Sequence, residues 1–399
     1  MLIAGSAEEG FGKIADAFRR NMNSGREIGA AVAVYRDGVK VVDLWAGYRN
    51  GTTKAPWRRD TVVPMFSTTK GVSSVAVAVA ASQGLLSYDA KVADYWAAFA
   101  QAGKDSVTVR QLLSHQAGLP VVDPPLTLDD LADSTKLSAK IAAVAPAWEP
   151  GSRHGYHAVT LGWYTSELLR HADPAGRTLG KFFADEVAEP LGLDFHIGMP
   201  DLVPLDRLAH VHGWRRREAL LHLKTMPPRF VAALLNPLSL TARAAHVPGL
   251  RDLEDINRPE LRAVEMPAVN GTGTPRSVAK LYGSVATGGS QIGLTSNTLD
   301  ALMSRPTLPA NGFRDKVLHV DTAFSLGFVK PFDAFRFGSS DAAFGAPGTG
   351  GSFGFADPDT GVGYAYAMNR LGFHIWSDPR ELALRQVLFH EILGTRPQT

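Results

Sequence analysis

Residues 60–86 read DTVVPMFSTTKGVSSVAVAVAASQGLL. A short β-branched run, Thr61-Val62-Val63, leads through Pro64 and Phe66 into Ser67-Thr68-Thr69-Lys70. Beyond Lys70 the apolar positions Val72, Val75, Val77 and Val79 are separated by Ala or Ser. A helix apolar or small on nearly every face is one buried all round. Residues three apart share a helical face, so Lys70 can reach the Ser67 hydroxyl. The unpaired N–H groups and positive dipole end of a helix start favour negative charge developing there. A desolvated lysine has its pKa pushed towards neutrality and can serve as a base or proton relay. The stretch therefore predicts a serine nucleophile at the mouth of a buried helix.

Ser-x-x-Lys is a short pattern, and it recurs at Ser277-Val278-Ala279-Lys280. There Thr274 and Pro275 read as an N-cap followed by N1, which makes Lys280 an exposed helix residue. Context separates the two copies. Ser67 follows a strand-like run and precedes a helix too apolar to be exposed.

Working outward, residues 7–23 have helical spacing through Phe11, Ile14, Ala15 and Phe18. Segments 29–35 and 39–45 flank Asp37-Gly38, a strong hairpin signal. Val107–His115 reads as a short capped helix, and further helices are expected at 127–143, 159–172, 178–190, 275–287, 295–303 and 378–394. Strands are expected at 324–330, 351–356 and 362–368, with a tight turn at Asp357-Pro-Asp-Thr-Gly361. Strands at both ends with helices between them imply an α+β fold: one antiparallel sheet built from both termini and a mostly helical region inserted into it. Between 196 and 264 the pattern loosens. Long irregular stretches in a compact chain are often lids; the apolar patch Phe230–Leu238 then supplies an acyl pocket, or packs as core.

The 399 residues suffice for a large core. Forty-one Lys and Arg against 39 Asp and Glu leave the charge nearly balanced. Nothing points to nucleic acid, and the short run Arg215-Arg216-Arg217 reads as a solvated turn. No cysteine is present, which excludes disulfides, thiolate metal sites and a cysteine nucleophile. No apolar run of about 18 residues predicts a membrane span. The acidic N-terminal stretch lacks the apolar centre of a signal peptide, so a cytoplasmic protein is the expectation.

A serine and a lysine need a third group and an oxyanion hole. Tyr156, in the loop Pro150–Ala158, is the best third candidate; beside Lys70 its pKa is expected to fall. The Gly-rich segment Phe344–Phe355 allows a ligand close to the backbone. It also contains Gly350-x-Ser352-x-Gly354, which matches a nucleophile elbow. An elbow needs a helix after the serine, whereas a second strand is expected here. His210, His212 and His222 are possible metal ligands, but no His-Glu-x-x-His or acidic cluster accompanies them.

Taken together, Ser67-Thr-Thr-Lys70, Tyr156 before a helix and a Gly-rich strand near the C-terminus resemble the class C β-lactamase and penicillin-binding-protein superfamily. Within it the chain is most similar to family VIII carboxylesterases. Asp43-Leu-Trp45, Pro56-Trp57, Leu112-Leu-Ser-His-Gln-Ala-Gly118, Pro150-Gly151 and Gly354-Phe-Ala-Asp-Pro358 add to the likeness, which runs from about residue 10 to 395. The resemblance implies an α/β subdomain of residues 1–65 plus 265–399, a helical subdomain of residues 66–264, and an active site at their interface. It implies Ser67 as nucleophile, Lys70 as the group that activates it, and Tyr156 as partner in proton transfer to the leaving group. Backbone N–H groups of Ser67 and of the Gly348-Thr349 region would form the oxyanion hole. The implied reaction is hydrolysis of short- to medium-chain carboxylic esters through an acyl-enzyme, with no cofactor and no metal. The expected partner is a small-molecule ester, and a homo-oligomer is compatible with the chain.

Two departures bear on substrate. The lactamase Tyr-x-Asn is Tyr156-His157-Ala158 here, and Lys-Thr-Gly (often His-x-Gly in the esterases) is Ala346-Pro347-Gly348. Both losses remove groups that grip a lactam amide or a substrate carboxylate; His157 either compensates in part on the substrate side or is a packed neighbour. The alternatives are an acyltransferase using the same acyl-enzyme, weak β-lactamase or peptidase activity, and a binding protein that has lost catalysis.

Overall fold

The structure is a computed structural model that describes residues 2–199, 203–214, 218, 222 and 225–395. The Arg215–Arg217 run lies outside the described residues. The strands are β1 (Ile3–Ala7), β2 (Gly29–Arg36), β3 (Val39–Asn50), β4 (Ala55–Pro56), β5 (Val63–Pro64), β6 (Phe195–His196), β7 (Thr272–Gly273), β8 (Phe324–Ser325), β9 (Phe328–Val329), β10 (Phe344–Pro347), β11 (Phe353–Asp357) and β12 (Val362–Met368). The main sheet runs β1-β3-β2-β12-β11-β10-β9-β8, antiparallel throughout, with β4 paired to β3. This is the mixed α and β class expected. N- and C-terminal strands meet where β2 pairs with β12, Val34 opposite Tyr364 and Val32 opposite Tyr366.

Strand β12 shows why the sheet is sandwiched. Gly363, Ala365 and Ala367 point to one face and Tyr364 and Tyr366 to the other, since successive strand side chains alternate. The small face receives the Pro275–Ala286 helix so closely that a Cβ on Gly363 would lie 2.0 Å from the Gly283 nitrogen. The large face packs with Phe18, Leu384 and Phe389 of the first and last helices. The helix that Ser67 opens, Thr68–Ser82, lies on the small-residue side, with Thr68 through Ala80 all buried. Gly71 lets it touch Tyr282 and Ala346; a Cβ there would meet the Tyr282 hydroxyl at 2.0 Å. That contact brings the third motif against the helix that Ser67 opens.

Several expected elements are broken by local chemistry. The Asp37-Gly38 turn has positive φ at both residues, 50° and 78°, as a two-residue hairpin demands. The single strand expected over 324–330 is instead the β8–β9 hairpin, turned by Leu326 and Gly327 at φ 50° and 88°. The 127–143 helix is two helices, Leu128–Ala132 and Ser134–Ala142. Asp133 breaks it by accepting hydrogen bonds from the Thr135 and Lys136 N–H groups as a cap. Residues 3–7, for which the sequence pattern predicts no strand, pair with β3 at the sheet's edge.

Candidate active site

Short pairings fix Ser67. β5 pairs with β7, Met65 donates its N–H to the Gly271 carbonyl, and Thr69 Oγ1 accepts the Gly271 N–H at 2.9 Å. Phe66 then turns the chain with φ 45°, a left-handed conformation costly for a bulky residue and common where an active site over-determines the backbone. Ser67 follows at the mouth of the helix with no side-chain capping bond, so its hydroxyl is free for other work.

Lys70 is the second fixed point. Its Nζ lies 3.0 Å from Ser67 Oγ, 2.5 Å from the Ala158 carbonyl and 3.0 Å from the Ala268 carbonyl. No carboxylate pairs with it, and desolvation by burial lowers its pKa to about 7. A neutral amine with two N–H groups on the two carbonyls turns its lone pair to Ser67. The matching pattern at Ser277 is wired differently: Lys280, half-buried rather than exposed, donates to the Leu191 carbonyl at 2.5 Å. Ser277 Oγ there accepts the Asp194 N–H.

Tyr156 lies beside them, with Lys70 Nζ 4.9 Å from its ring centroid and its hydroxyl hydrogen-bonded to Ser67. The expectation of a lowered pKa is corrected. Burial raises the phenol to about 12, outweighing the hydrogen bond from Ser67, and the nearby Asp315 carboxylate pushes in the same direction as burial. Two groups that sequence reasoning left without a role hold the loop. Asp315 is buried and accepts N–H bonds from Tyr156 (3.2 Å), Val317 and Leu318 (2.7 Å each). His115 Nδ1 accepts the His157 N–H at 3.0 Å, and its ring packs 5.1 Å from that of Tyr156. The Leu112–Gly118 stretch was the signal for His115; nothing local marked Asp315.

His157 is not placed to touch substrate. Its Nε2 accepts the Leu119 N–H at 2.9 Å and its Nδ1 faces the Gly155 carbonyl at 2.7 Å. Burial takes its pKa down to about 3, so it is a neutral brace. The compensating role expected of it is corrected by this burial.

At the end of β10 the Gly348 N–H is engaged with the Ser352 carbonyl at 2.7 Å. Gly348 matters for closeness, since a Cβ would meet Ser352 Oγ at 2.3 Å and the Met65 carbonyl oxygen at 2.4 Å. The Thr349 and Ser67 N–H groups form no hydrogen bond to another described residue, and both residues line the cavity. Ser352, the elbow candidate, is buried, donates to the Met65 carbonyl at 2.9 Å and enters β11, not a helix. It pins the third motif to the segment that leads into Ser67.

Ser67 and Tyr156 open into a cavity of about 400 Å³. Among the described residues, no Asp, Glu, Lys or Arg lines it. One wall is aliphatic and comes largely from the loosely patterned region, through Leu234, Val247 and Leu250. Thr241 ties that wall down by donating to the Val317 carbonyl at 2.7 Å. The helix Pro228–Leu234 has no buried residue and borders the cavity through Phe230 and Leu234. The histidines singled out for metal have other neighbours. His212 Nε2 accepts the Gly51 N–H at 3.0 Å, and His222 stacks on Phe373. Among the described residues no group of three or more His, Cys, Asp or Glu is placed to hold a metal ion, and no helix is long and apolar enough to cross a membrane.

Comparison with known proteins agrees with this geometry. The sequence pattern of the beta-lactamase family matches residues 14–386. The chain is 34% identical over 370 residues to the esterase/beta-lactamase LipL of Mycobacterium tuberculosis, covering 92% of this chain and 83% of that protein. Among solved structures, a family VIII carboxylesterase superposes with a TM-score of 0.82 at 36% identity, covering 97% of this chain and 98% of the other. A penicillin-binding protein homologue from Caulobacter crescentus gives the same TM-score and identity over 96% and 98%. A match spanning nearly the whole chain, around a serine faced by a buried lysine, shows that this protein belongs to the beta-lactamase family of serine hydrolases.

Proposed function

We propose that the protein is a carboxylesterase that hydrolyses uncharged esters through an acyl-enzyme on Ser67. The observation that carries this reading is Lys70, buried without a counter-ion and held by two carbonyls with its nitrogen 3.0 Å from Ser67 Oγ.

The pKa values support one order of proton transfer. At pH 7.5 a group of pKa about 7 is roughly three-quarters deprotonated, whereas one of pKa about 12 is deprotonated in roughly three molecules per hundred thousand. Lys70 is therefore the resting base and Tyr156 the resting acid. Lys70 takes the Ser67 proton as Oγ attacks the ester carbonyl. The tetrahedral oxyanion forms between the Ser67 and Thr349 N–H groups, and Tyr156 gives its proton to the departing alkoxide. Tyr156 regains a proton from Lys70, which had taken it from Ser67, so both groups return to their resting states. Water then attacks the acyl carbonyl and gives a proton to Lys70; the bond between Ser67 Oγ and the acyl carbon breaks, Ser67 Oγ takes that proton back, and the carboxylic acid leaves.

The cavity supports an ester in place of a charged lactam or peptide. A substrate carboxylate buried here would find no cation among the described lining residues, a costly arrangement. Family membership and the esterase relatives agree with this choice. The aliphatic wall suits acyl chains of short to medium length. The test is hydrolysis of p-nitrophenyl butyrate together with intact mass after a fluorophosphonate probe. Labelling on Ser67 with loss of hydrolysis in Ser67→Ala is the expected result. Unchanged hydrolysis in Ser67→Ala, or a label on Ser352, overturns it.

A further inference from the structure

The catalytic cavity has a second wall, unlike the aliphatic one. An arc of rings starts at Tyr156, which stacks on Phe324 with centroids 5.6 Å apart and planes 11° from parallel. Phe324 lies opposite Val329 in the β8–β9 hairpin, and the chain leaving that hairpin carries Phe332 and Phe335. Phe332 meets Trp376 edge-on, at 5.4 Å and 85°, and Phe335 lies 6.4 Å from the same indole. Phe324, Phe332, Phe335 and Trp376 all line the cavity, alongside Pro347–Gly350. Phe332 and Trp376 are only half-buried, so part of each ring remains open. Their perpendicular packing forms a corner in which an incoming ring can meet one ring's face and the other's edge, the arrangements aromatic pairs prefer.

From this we infer that the enzyme is selective for esters of aralkyl alcohols, with the aromatic ring on the leaving-group side. The inference rests on the ester-hydrolase reading above and adds the substrate class. The side follows from where the arc begins. Tyr156 is the group assigned to protonate the departing alkoxide, so the alcohol lies next to it and its substituent runs along Phe324 towards Trp376. The acyl chain is left with the aliphatic wall beside the Pro228–Leu234 helix. The reaction is ester plus water giving a carboxylic acid and an aralkyl alcohol, the alcohol oxygen receiving the Tyr156 proton.

Two matched pairs of substrates test this without confounding leaving-group reactivity. Benzyl acetate is compared with cyclohexylmethyl acetate, and ethyl phenylacetate with ethyl cyclohexylacetate. A kcat/KM for benzyl acetate about two- to tenfold above that of its saturated partner is expected, the range an aromatic pair adds beyond its area. No such preference is expected in the acyl pair. Trp376→Leu should bring kcat/KM for benzyl acetate down towards that of cyclohexylmethyl acetate, and Phe332→Leu should shift it in the same direction, with Ser67 still labelled by the fluorophosphonate probe in both variants. Equal rates within the alcohol pair overturn the inference, as does an aromatic preference confined to the acyl pair. Failure to hydrolyse all four esters and p-nitrophenyl butyrate, with Ser67 unlabelled, removes the ester-hydrolase reading itself. Hydrolysis without aromatic preference removes only the inference.

Discussion

The same four-residue pattern occurs twice in this molecule, and only its surroundings differ. Ser67 and Lys70 open a helix buried from Thr68 through Ala80, and the lysine points at the serine. Ser277 and Lys280 open an equally regular helix, yet Ser277 Oγ serves the cap with Thr274, and Lys280 reaches away to the Leu191 carbonyl. Spacing puts the two side chains on one face in both cases. What differs is the pair of carbonyls, Ala158 and Ala268, that hold Lys70 in a desolvated place. The motif is chemistry only where distant segments close around it.

The sharpest way to break this comparison is to remove each serine in turn. Ser67→Ala is expected to lower kcat/KM for p-nitrophenyl butyrate by about 10⁴-fold or more, as loss of a nucleophile does. Ser277→Ala should leave the rate unchanged to within about twofold and instead destabilise the fold by about 1 kcal/mol, because the half-buried Asp194 N–H loses its acceptor. Steady-state rates and thermal unfolding of the two variants check both halves. Comparable activity losses in the two would end the distinction.

Removing each lysine probes the next level. Lys70→Met is expected to cost about 10²- to 10⁴-fold, the usual worth of a positioned general base. Lys280→Met should change kcat/KM by no more than about twofold. The pH profile sharpens this further. In the proposed mechanism Lys70 acts when neutral, and burial has brought its pKa down to about 7. Activity should therefore rise with pH through a limb near 7, far below the ordinary lysine range. Tyr156 is active when protonated, so no loss from its ionisation is expected until pH approaches about 12. Tyr156→Phe should cost about 10²-fold or more, chiefly in kcat for esters with poor leaving groups. A profile flat from pH 6 to 8 would contradict the assignment of Lys70.

How far the sequence could be read follows the same divide between local and distant causes. The Ser67 helix was visible because its apolar positions lie on every face. The β2–β3 hairpin announced itself through Asp37-Gly38, and β12 through Tyr-Ala alternation. The β8–β9 hairpin was hidden because Leu326 takes a left-handed φ that no turn residue announces; only Gly327 hinted at it. Asp133 was legible as a cap but lay within a continuous helical pattern. His157 misled by position: next to Tyr156 in sequence, it turns inward because the Leu119 N–H and the Gly155 carbonyl take both ring nitrogens. The carbonyls around Lys70 could not be found at all, since a backbone oxygen leaves no trace in side-chain identity.

Asp315 belongs to that hidden class and yields the smallest loss expected among the groups around Ser67. It comes from a turn 159 residues away from the loop it braces, and its Oδ1 accepts N–H bonds from Tyr156, Val317 and Leu318. Asp315→Asn keeps the shape but replaces one carboxylate oxygen with an NH2 group, which cannot accept the Thr322 hydroxyl proton now shared with Oδ2. Tyr156 is left less firmly aimed at Ser67. Because Asp315 touches no reacting atom, it is a positioning residue, and the loss is expected to be about tenfold, below that for removing the phenol itself. The loss should fall on kcat with KM nearly unchanged, and should be larger for an alkyl ester than for a p-nitrophenyl ester, whose leaving group needs little protonation. A merely structural role would lower both substrates equally by reducing the folded fraction. Parallel kcat measurements on the two esters, normalised to fluorophosphonate-titrated Ser67, separate these outcomes, and equal losses would return Asp315 to the scaffold.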